Sequence, residues 1–398
     1  MPEGVDNVIV VGASLAGVRA AETLRKDGHV GPLVVIGAEH HTPYDRPPLS
    51  KEVLTSTVEP DLSLRAVAAG LDVDLRLGLS ATALRAEARE LDLSDGTTLR
   101  FDGLVVATGC RARTLPGTED IQRVLTLRTL DDARRLRRLL AEGARRVLVV
   151  GGGFIGLEVA ASCRSLRCQV TLVEPLDQPL VRILGPEVGL AVADLHRSNG
   201  VDVRVGVGVA AVEALGDANA GVSVELTTGE RVEADVVVVG IGVIPNTSWL
   251  EGSGLRVEGG VLCDETTLAA PGVVAAGDVA RWPNPLFGET MRVEHWEHAL
   301  DMASHAARRL MAGSAPGEPY APVPWFWSDQ YDRKIQFAGR SHPGDRTVVV
   351  DGTVGGDRFC VLYGDGERVT GVLGVNMAAR VVRYRKAIAE GMAWGDLA

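Results

Sequence analysis

The sequence predicts an α/β protein that contains two copies of a nucleotide-binding βαβ unit and a smaller α+β domain at its C-terminal end. Residues 8–17 (VIVVGASLAG) and 147–156 (VLVVGGGFIG) each join an apolar β-branched run to a glycine-rich turn. A strand that enters a helix through such a turn places a dinucleotide pyrophosphate at the helix N-terminus. Two such turns predict two dinucleotides, between which a hydride can pass.

Length, charge and cysteine content narrow the class of protein. A chain of 398 residues predicts two to four domains. The net charge of −11 argues against nucleic acid as a partner, because binding phosphates requires a basic face. No apolar run approaches the roughly 18–20 residues of a membrane span, and we expect no export signal or membrane association. Five cysteines without framework spacing predict a reducing, cytoplasmic compartment.

The sequence contains a second pair of similar segments in addition to the two glycine turns. Residues 91–109 and 224–242 each predict a hairpin with glycine in its turn, followed by a buried strand that ends in a further glycine turn. The pattern indicates that a nucleotide-binding unit has been duplicated. We also expect a helix over 15–25 and a strand over 33–36 in the first unit.

The remaining segments complete the predicted organisation. The strand at 273–278 is assigned to the first sheet, which makes that domain discontinuous, and the aromatic, turn-rich pattern after Pro322 predicts a third, α+β domain. The basic stretch 134–138 is interpreted as the solvated face of an amphipathic helix, with a binding patch as the alternative. The predicted domains are 1–112 with 243–320, 113–242, and 321–398.

The two glycine motifs differ in how closely they match the dinucleotide-binding pattern. The second is complete, and Glu174 lies 23 residues after Gly151, where a carboxylate accepts hydrogen bonds from ribose hydroxyls and repels a 2′-phosphate. This position favours NADH over NADPH. In the first motif Ser14 replaces the middle glycine, and the acidic residue assigned to the ribose, Glu39, comes one place later than expected.

Four motifs together indicate a family. They are PYDRPPLSK (43–51), GFIGLE (153–158), AAGDV (275–279) and WFWSDQY (325–331). With these motifs the chain closely resembles the FAD-dependent ferredoxin reductases that serve oxygenases, in the glutathione-reductase fold class with two Rossmann-like domains. The resemblance implies a flavoprotein oxidoreductase that passes electrons from NADH through FAD to an iron-sulfur ferredoxin, which supplies a haem-thiolate monooxygenase or a Rieske dioxygenase.

The resemblance also assigns roles to individual residues. Lys51 and Glu158 resemble the catalytic ion pair beside the flavin N5, and Trp327 would lie at the exposed flavin edge. A core position is an equally good interpretation for Trp325 and a weaker one for Trp327. A helix from about Ala299 would point its N-terminus at the flavin. The other positions assigned to FAD are Gly12, Ser14, Leu15, Ala16, Gly17, Glu39, Arg46, Pro47, Ala81, Ala107, Thr108, Gly109, Arg128, Gly277, Asp278, Glu294, His295 and Trp296. The positions assigned to NAD are Gly151, Gly153, Phe154, Ile155, Gly156, Glu158, Glu174, Gly240, Ile241 and Gly242.

Cysteine and histidine clusters offer two alternatives that we do not favour. Residues 38–54 lack the redox cysteines of disulfide reductases, and Cys163 and Cys168 would diverge by roughly 140° on one helix, which predicts a structural role. His295, His298 and His305 suggest a metal, but no cysteine or acid cluster completes a site, so we expect none.

A ferredoxin partner requires a basic docking face on this acidic protein. The candidates in the C-terminal region are Arg308, Arg309, Arg333, Lys334, Arg340, Arg383, Arg385 and Lys386. A solvated surface explains any single one of them equally well. Two alternative functions stay open: an NADH oxidase or peroxidase of the same fold, and a flavoprotein with a signalling role that resembles the apoptosis-inducing flavoproteins.

Overall fold

The computed structural model describes residues 5–64, 67, 70–216 and 221–397. The chain divides into two compact units. The first contains residues 1–45, 62–111 and 244–324, and the second contains residues 46–61, 112–243 and 325–398. The helices of the described residues are α1 (Leu15–Lys26), α2 (Glu52–Thr55), α3 (Leu130–Ala141), α4 (Phe154–Ser165), α5 (Val181–Ser198), α6 (Trp296–Met311) and α7 (Ala378–Ala389). The strands are β1 (Val8–Val11), β2 (Leu33–Gly37), β3 (Asp74–Leu77), β4 (Ala81–Arg85), β5 (Glu90–Leu93), β6 (Thr98–Arg100), β7 (Gly103–Val106), β8 (Cys110–Ala112), β9 (Val124–Thr126), β10 (Arg146–Val150), β11 (Gln169–Glu174), β12 (Val201–Val205), β13 (Val209–Ala214), β14 (Val222–Leu226), β15 (Arg231–Ala234), β16 (Val236–Val239), β17 (Val243–Pro245), β18 (Val261–Leu262), β19 (Leu268–Ala270), β20 (Val273–Ala275), β21 (Ala280–Asn284), β22 (Glu289–Met291), β23 (Trp325–Gln330), β24 (Arg333–Gly339), β25 (Arg346–Gly352), β26 (Phe359–Gly364) and β27 (Val369–Val375).

The first unit is built on a six-stranded sheet in the order β19-β20-β7-β1-β2-β3. Every residue of β1 is buried, and the strand pairs in parallel with β2 and β7. Strands buried on both faces consist of continuous β-branched runs, which is why the sequence shows no alternation here. Strand β20 pairs with β7, so the late strand belongs to the first sheet, as predicted.

Helices α1 and α6 pack against each other in the first unit. Half of the buried residues of the two helices are alanines, which allows the two backbones to approach closely. The pair also shares a hydrogen bond of 3.3 Å between the hydroxyls of Thr23 and Ser304. This packing fixes the direction of α6, whose N-terminus carries three of the predicted site residues.

The second unit repeats the arrangement. Its parallel sheet has the order β12-β11-β10-β16-β9. In each unit a three-stranded antiparallel sheet, β4-β5-β6 or β13-β14-β15, leads directly into a buried parallel strand, β7 or β16. The predicted duplication is therefore confirmed.

The C-terminal residues of the second unit form a separate antiparallel sheet in the order β23-β24-β27-β26-β25, and α7 packs on β27 and β24. An α+β segment was expected here. Because this segment and residues 112–243 belong to one compact unit, the finer three-domain division stays a prediction. Among the described residues, no helix combines the length and apolar character that crossing a bilayer requires.

The basic stretch of α3 binds a neighbouring segment as well as solvent. The helix buries Leu136 on its inner face. On its outer face Arg134 forms an ion pair of 2.6 Å with Glu59, and Arg137 donates to the carbonyl of Ser56 at 2.8 Å. The prediction of a solvated face was therefore incomplete, because Arg134 and Arg137 bind the segment that follows α2.

Candidate functional site

The first glycine turn, in the first unit, has no room for a side chain at either of its glycines. Gly12 has a φ of +119°, and a Cβ atom there would lie 2.1 Å from the carbonyl oxygen of Ala107. A Cβ atom at Gly17 would lie 1.7 Å from the carbonyl oxygen of Gly12. Ser14 is the extended residue that precedes α1, and no acidic side chain occupies the first turn of that helix. A helix N-terminus that follows such a turn suits the pyrophosphate of a dinucleotide, because the backbone N–H groups of a first helical turn have no partner within the helix.

The turn after β7 is held by a residue that the sequence did not reveal. Thr108 Oγ1 donates to the carbonyl of Asn246 at 2.9 Å, and Asn246 Nδ2 donates back to the carbonyl of Thr108 at 2.9 Å. The backbone N–H of Asn246 also donates to the carbonyl of Gly109. Asn246 therefore fixes two of the predicted FAD positions, although no motif marks it.

The predicted FAD residues Gly277, Asp278 and Glu294 also lie in the first unit. Gly277 has a φ of +73°, and a Cβ atom there would lie 3.0 Å from Cβ of Ala16. The turn that carries Asp278 thus lies against the first turn of α1. Arg292 donates to the carbonyl of Asp278 at 3.1 Å and forms an ion pair of 2.7 Å with Glu294.

The acidic residue assigned to the adenosine ribose follows β2. Glu39 Oε2 accepts a hydrogen bond of 2.6 Å from Tyr44, at the start of the PYDRPPLSK segment. Ala81 is the first residue of β4, where it pairs with Leu93. Glu39 thus takes part in a hydrogen bond and Ala81 in a strand pair. Contact of either residue with FAD stays a prediction.

Helix α6 begins earlier than predicted. Its first residue is Trp296 and not Ala299, with His295 as the extended residue before it. The sequence offers no Ser, Thr, Asp or Asn at that place, so the usual signal of a helix start was missing. Trp296 Nε1 donates to Asp45 Oδ1 at 2.6 Å. Burial lowers the pKa of His295 to about 4, which keeps the imidazole neutral at the helix N-terminus.

The second glycine turn, in the second unit, repeats the close approach of the first. A Cβ atom at Gly151 would lie 2.3 Å from the carbonyl oxygen of Gly240, and one at Gly156 would lie 2.2 Å from the carbonyl oxygen of Gly151. Gly153, the residue before α4, meets only the Gly240 oxygen, at 3.8 Å. Ile155 in the next turn exposes 40% of its surface. Gly242 has a φ of +96° at the end of the turn after β16, close to Ile241. The cradle therefore fits a second dinucleotide.

Glu174 ends β11 and binds the glycine turn directly. Its Oε2 accepts from the backbone N–H of Gly152 at 2.7 Å, and its Oε1 accepts from that of Leu176 at 2.9 Å. A side chain at position 152 would press on Pro179 at 2.9 Å and on Glu174 Oε2 at 3.1 Å. The carboxylate thus supports the turn in addition to the ribose role expected from the sequence.

Lys51 and Glu158 form the predicted ion pair. The distance from Lys51 Nζ to Glu158 Oε2 is 2.6 Å, and the carboxyl side chain is 7% exposed. Ser50 Oγ donates to the same oxygen at 2.5 Å, and Ser328 Oγ donates to Oε1 at 2.7 Å. Both serines lie within the motifs at 43–51 and 325–331, but neither was assigned a role from the sequence. A buried carboxylate with this many donors is held in one orientation.

Arg46, Pro47 and Arg128 lie near this pair in the second unit. Pro47 begins a 3₁₀ turn that covers residues 47–50 and ends immediately before Lys51. Arg46 Nη1 donates to the carbonyl of Arg128 at 2.6 Å. Arg128 precedes the capping box of α3, and Asp132 accepts its backbone N–H at 2.9 Å. The contacts connect these predicted FAD positions to one another.

Aromatic side chains cover both faces of β23. Trp325 and Trp327 lie on one face with ring centroids 5.7 Å apart, and both are half-buried. Phe326 on the other face meets Phe154 edge to face at 4.6 Å. Phe154 therefore contributes packing between α4 and β23. The half-exposed tryptophans suit neither a fully buried core position nor a free surface.

The geometric argument about Cys163 and Cys168 was wrong, because Cys168 does not lie on the helix. Helix α4 ends at Ser165, and Arg167 has a φ of +63°. Cys168 then donates its N–H to the carbonyl of Cys163 at 3.0 Å, which is the helix-ending Schellman motif. The two thiols share a hydrogen bond that lowers the pKa of Cys168 to about 7 and raises that of Cys163. Both cysteines are free and buried, and they occupy the two positions whose side chains meet in this motif.

The other two histidines of the cluster on α6 pack among aromatic rings. His298 stacks on Trp282 with centroids 4.8 Å apart, and His305 lies 5.0 Å from the ring of Tyr320. Burial lowers the pKa of His298 to about 3, so this imidazole is neutral.

The cations assigned to docking differ in how far acids neutralise them. Arg308 pairs with Asp27 in the first unit. In the second unit four of the candidates face carboxylates, namely Arg333 with Asp332 and Asp357, Lys334 with Asp329, Arg340 with Asp345, and Lys386 with Glu390. Arg383 and Arg385 on α7 lie over the rings of Tyr384 and Trp325, at 5.7 and 5.8 Å. Arg309 donates to Thr266 and to the carbonyl of Gly313.

Comparison with known proteins matches the whole length of this architecture. Residues 6–303 match the pyridine nucleotide-disulphide oxidoreductase family, and residues 325–396 match the reductase C-terminal family. The reductase component of the anthranilate 1,2-dioxygenase system of Burkholderia cepacia is 41% identical, over 97% of this chain and 95% of that protein. Putidaredoxin reductase of Pseudomonas putida is 36% identical, over 97% and 92%. The crystal structure of a covalent putidaredoxin reductase-putidaredoxin complex superposes with a TM-score of 0.90 at 36% identity, over 97% of this chain and 93% of that one.

These matches confirm the predicted fold class and the family resemblance, and with them FAD and NAD(H) as cofactors. The glycine turns of both units fit such groups, because a Cβ atom at their tightest positions would collide with backbone. The chain belongs to the pyridine nucleotide-disulphide oxidoreductases, among the ferredoxin–NAD(+) reductases that carry a reductase C-terminal domain.

Proposed function

We propose that this protein oxidises NADH and reduces an iron-sulfur ferredoxin that serves an oxygenase. The observation that carries the proposal is the buried pair of Lys51 and Glu158, 2.6 Å apart, in a chain with a separate glycine cradle for each of two dinucleotides. In the balanced reaction, NADH and two oxidised ferredoxins give NAD⁺, two reduced ferredoxins and one proton. Bound FAD supplies the conversion of an electron pair into single electrons, which nicotinamide cannot perform.

The residues of the chain support this chemistry by binding and orientation. The N-terminal turn of α1 would hold the FAD pyrophosphate, and that of α4 would hold the NADH pyrophosphate. Lys51 places a positive charge where the hydride is accepted, and Glu158 holds that charge in position. Glu174 would accept hydrogen bonds from the ribose hydroxyls of NADH, and its charge would repel the 2′-phosphate of NADPH. Trp327, which is half-buried on β23, is the residue that would lie at the flavin edge in this proposal.

We further propose a cytoplasmic protein that docks ferredoxin through α7. All five cysteines are free thiols, as a reducing compartment predicts. Arg383 and Arg385 lie on α7, and basic side chains there suit the acidic residues of a ferredoxin partner.

Anaerobic mixing of the purified protein with NADH or NADPH, followed by transfer to cytochrome c with and without putidaredoxin, tests the proposal. We expect bleaching of the flavin band by NADH in preference to NADPH, and cytochrome c reduction that requires the ferredoxin. Rapid consumption of oxygen or peroxide without ferredoxin would instead identify an oxidase or peroxidase. Slow turnover with every ferredoxin and a long-lived reduced state bound to NAD would indicate the signalling class.

A further inference from the structure

A chain of hydrogen bonds runs from the ion pair into the C-terminal sheet of the second unit. Ser328 Oγ donates to Glu158 Oε1 at 2.7 Å, and Gln330 Nε2 lies 3.1 Å from that hydroxyl. Gln330 Oε1 is 2.9 Å from His196 Nε2, and His196 Nδ1 is 3.1 Å from the hydroxyl of Tyr331. Ser328, Gln330 and His196 have no exposed surface.

The carboxylate at one end dictates the direction of every bond in this chain. An ionised Glu158 only accepts, so the proton of Ser328 points toward it. The lone pairs of Ser328 then face Gln330, which must present its NH₂ group and turn its oxygen to the imidazole. His196 must therefore carry its proton on Nε2, and its bare Nδ1 accepts from Tyr331.

The protonation states of the outer members agree with this direction. Burial lowers the pKa of His196 to about 4, so the ring is neutral and can accept at Nδ1. Burial raises the pKa of Tyr331, so the phenol keeps the proton that it donates. Hydrogen bonds that all point one way polarise one another, which strengthens the final bond to the carboxylate.

We propose that Ser328, Gln330, His196 and Tyr331 form a one-directional hydrogen-bond chain that positions Glu158, and through it Lys51, for hydride transfer. The four are positioning residues, since only Glu158 touches the lysine. The inference rests on the proposed function, because it assigns the residues a role in the reduction of the flavin by NADH. The segment 325–331 thereby takes part in the redox site from within the C-terminal sheet.

Rapid-mixing kinetics of the flavin-loaded protein provide the first test. We expect Ser328→Ala to lower the limiting rate of flavin reduction by about tenfold, the effect of losing one hydrogen bond to a charged group, with the NADH dissociation constant within about twofold of the parent value. Ser328→Thr should restore the rate, because it keeps the hydroxyl. Ser223→Ala is the matched control, since Ser223 is a buried serine on β14 in the same unit.

Coupling between positions separates a chain from a general packing effect. Gln330→Met should slow flavin reduction in the parent protein and have no further effect when Ser328 is already alanine. Additive losses would overturn the proposal. If NADH fails to bleach the flavin of the parent, the proposed function is wrong; if the parent bleaches and Ser328→Ala bleaches equally fast, only this inference is wrong.

Nuclear magnetic resonance of histidine labelled with ¹⁵N and ¹³C reads the direction of the chain without any turnover. A His196→Gln variant identifies the resonances of His196 among the eight histidines. We expect one tautomer, with the proton on Nε2. A proton on Nδ1, or on both nitrogens at neutral pH, would overturn the proposal even if every kinetic variant failed to fold.

Discussion

Glu174 supports the second glycine turn through two backbone hydrogen bonds, and this geometry predicts two separate effects of Glu174→Gln. The carboxylate accepts from Gly152 at 2.7 Å and from Leu176 at 2.9 Å while only 8% of the residue is exposed. A glutamine has one oxygen and one NH₂ group, so it can accept only one of the two N–H donors. The other donor is left facing the NH₂ group in a buried place.

The magnitude follows from what one such bond contributes. A buried hydrogen bond to a charged group is worth about 1.5–3 kcal/mol. For a unit of about 150–250 residues, each kcal/mol shifts Tm by about 2–4 °C, so we expect Tm to fall by about 3–12 °C. Removing the charge also removes its repulsion of a 2′-phosphate, which is about 3 kcal/mol for unit charges 5 Å apart at an effective dielectric constant of 20. The ratio of kcat/KM for NADH to that for NADPH should therefore fall at least tenfold.

Differential scanning fluorimetry and flavin reduction by each coenzyme measure the two effects. Glu213→Gln is the matched control, because Glu213 forms a surface ion pair with Arg231 at 3.0 Å and its side chain is 60% exposed. Such a pair contributes about 0–1 kcal/mol, so the control should change neither quantity. A Glu174→Gln variant with the parent's Tm and coenzyme ratio would refute both roles of the carboxylate.

Three further substitutions test other parts of the site. Gly17→Ala places a Cβ atom 1.7 Å from the carbonyl oxygen of Gly12, and we expect protein purified without the visible absorbance of flavin; retention of a full complement of FAD would contradict this. Gly156→Ala places a Cβ atom 2.2 Å from the carbonyl oxygen of Gly151, so the protein should stay yellow but lose reduction by NADH, which stopped-flow absorbance detects. Arg385→Glu should raise the KM for ferredoxin at least fivefold at low salt and leave reduction of ferricyanide unchanged; an unaltered KM would place the docking face elsewhere.

The glycine turns and their surroundings could be predicted because few structures tolerate that pattern. Residues such as Gly12 and Gly151, at φ values of +119° and +104°, stand where a side chain would meet the carbonyl of a neighbouring strand. Lys51 and Glu158 could be predicted because each ends a motif that the family resemblance identifies. Their contact at 2.6 Å agrees with the pair that those motifs imply.

Other parts of the site could not be predicted, because their signals are long-range or unusual. Ser328 reaches Glu158 across 170 residues of sequence, and Asn246 reaches Thr108 across 138. Neither contact has a local pattern. After helix α4, Arg167 has the left-handed conformation for which glycine is usual. Nothing in the sequence therefore marked the turn that brings Cys168 back to Cys163.

The buried contacts of β23 make the C-terminal segment a part of the second unit. Phe326 packs on Phe154, which begins α4 immediately after the glycine turn, and Ser328 binds the carboxylate of Glu158 one turn further along the same helix. A change in the position of β23 must therefore move either the start of α4 or the ion partner of Lys51. Ferredoxin docked on α7 would press on the same sheet, since α7 packs on β24 and β24 pairs with β23 along its whole length. The contacts that hold the Lys51–Glu158 pair and those proposed to bind ferredoxin thus share one antiparallel sheet.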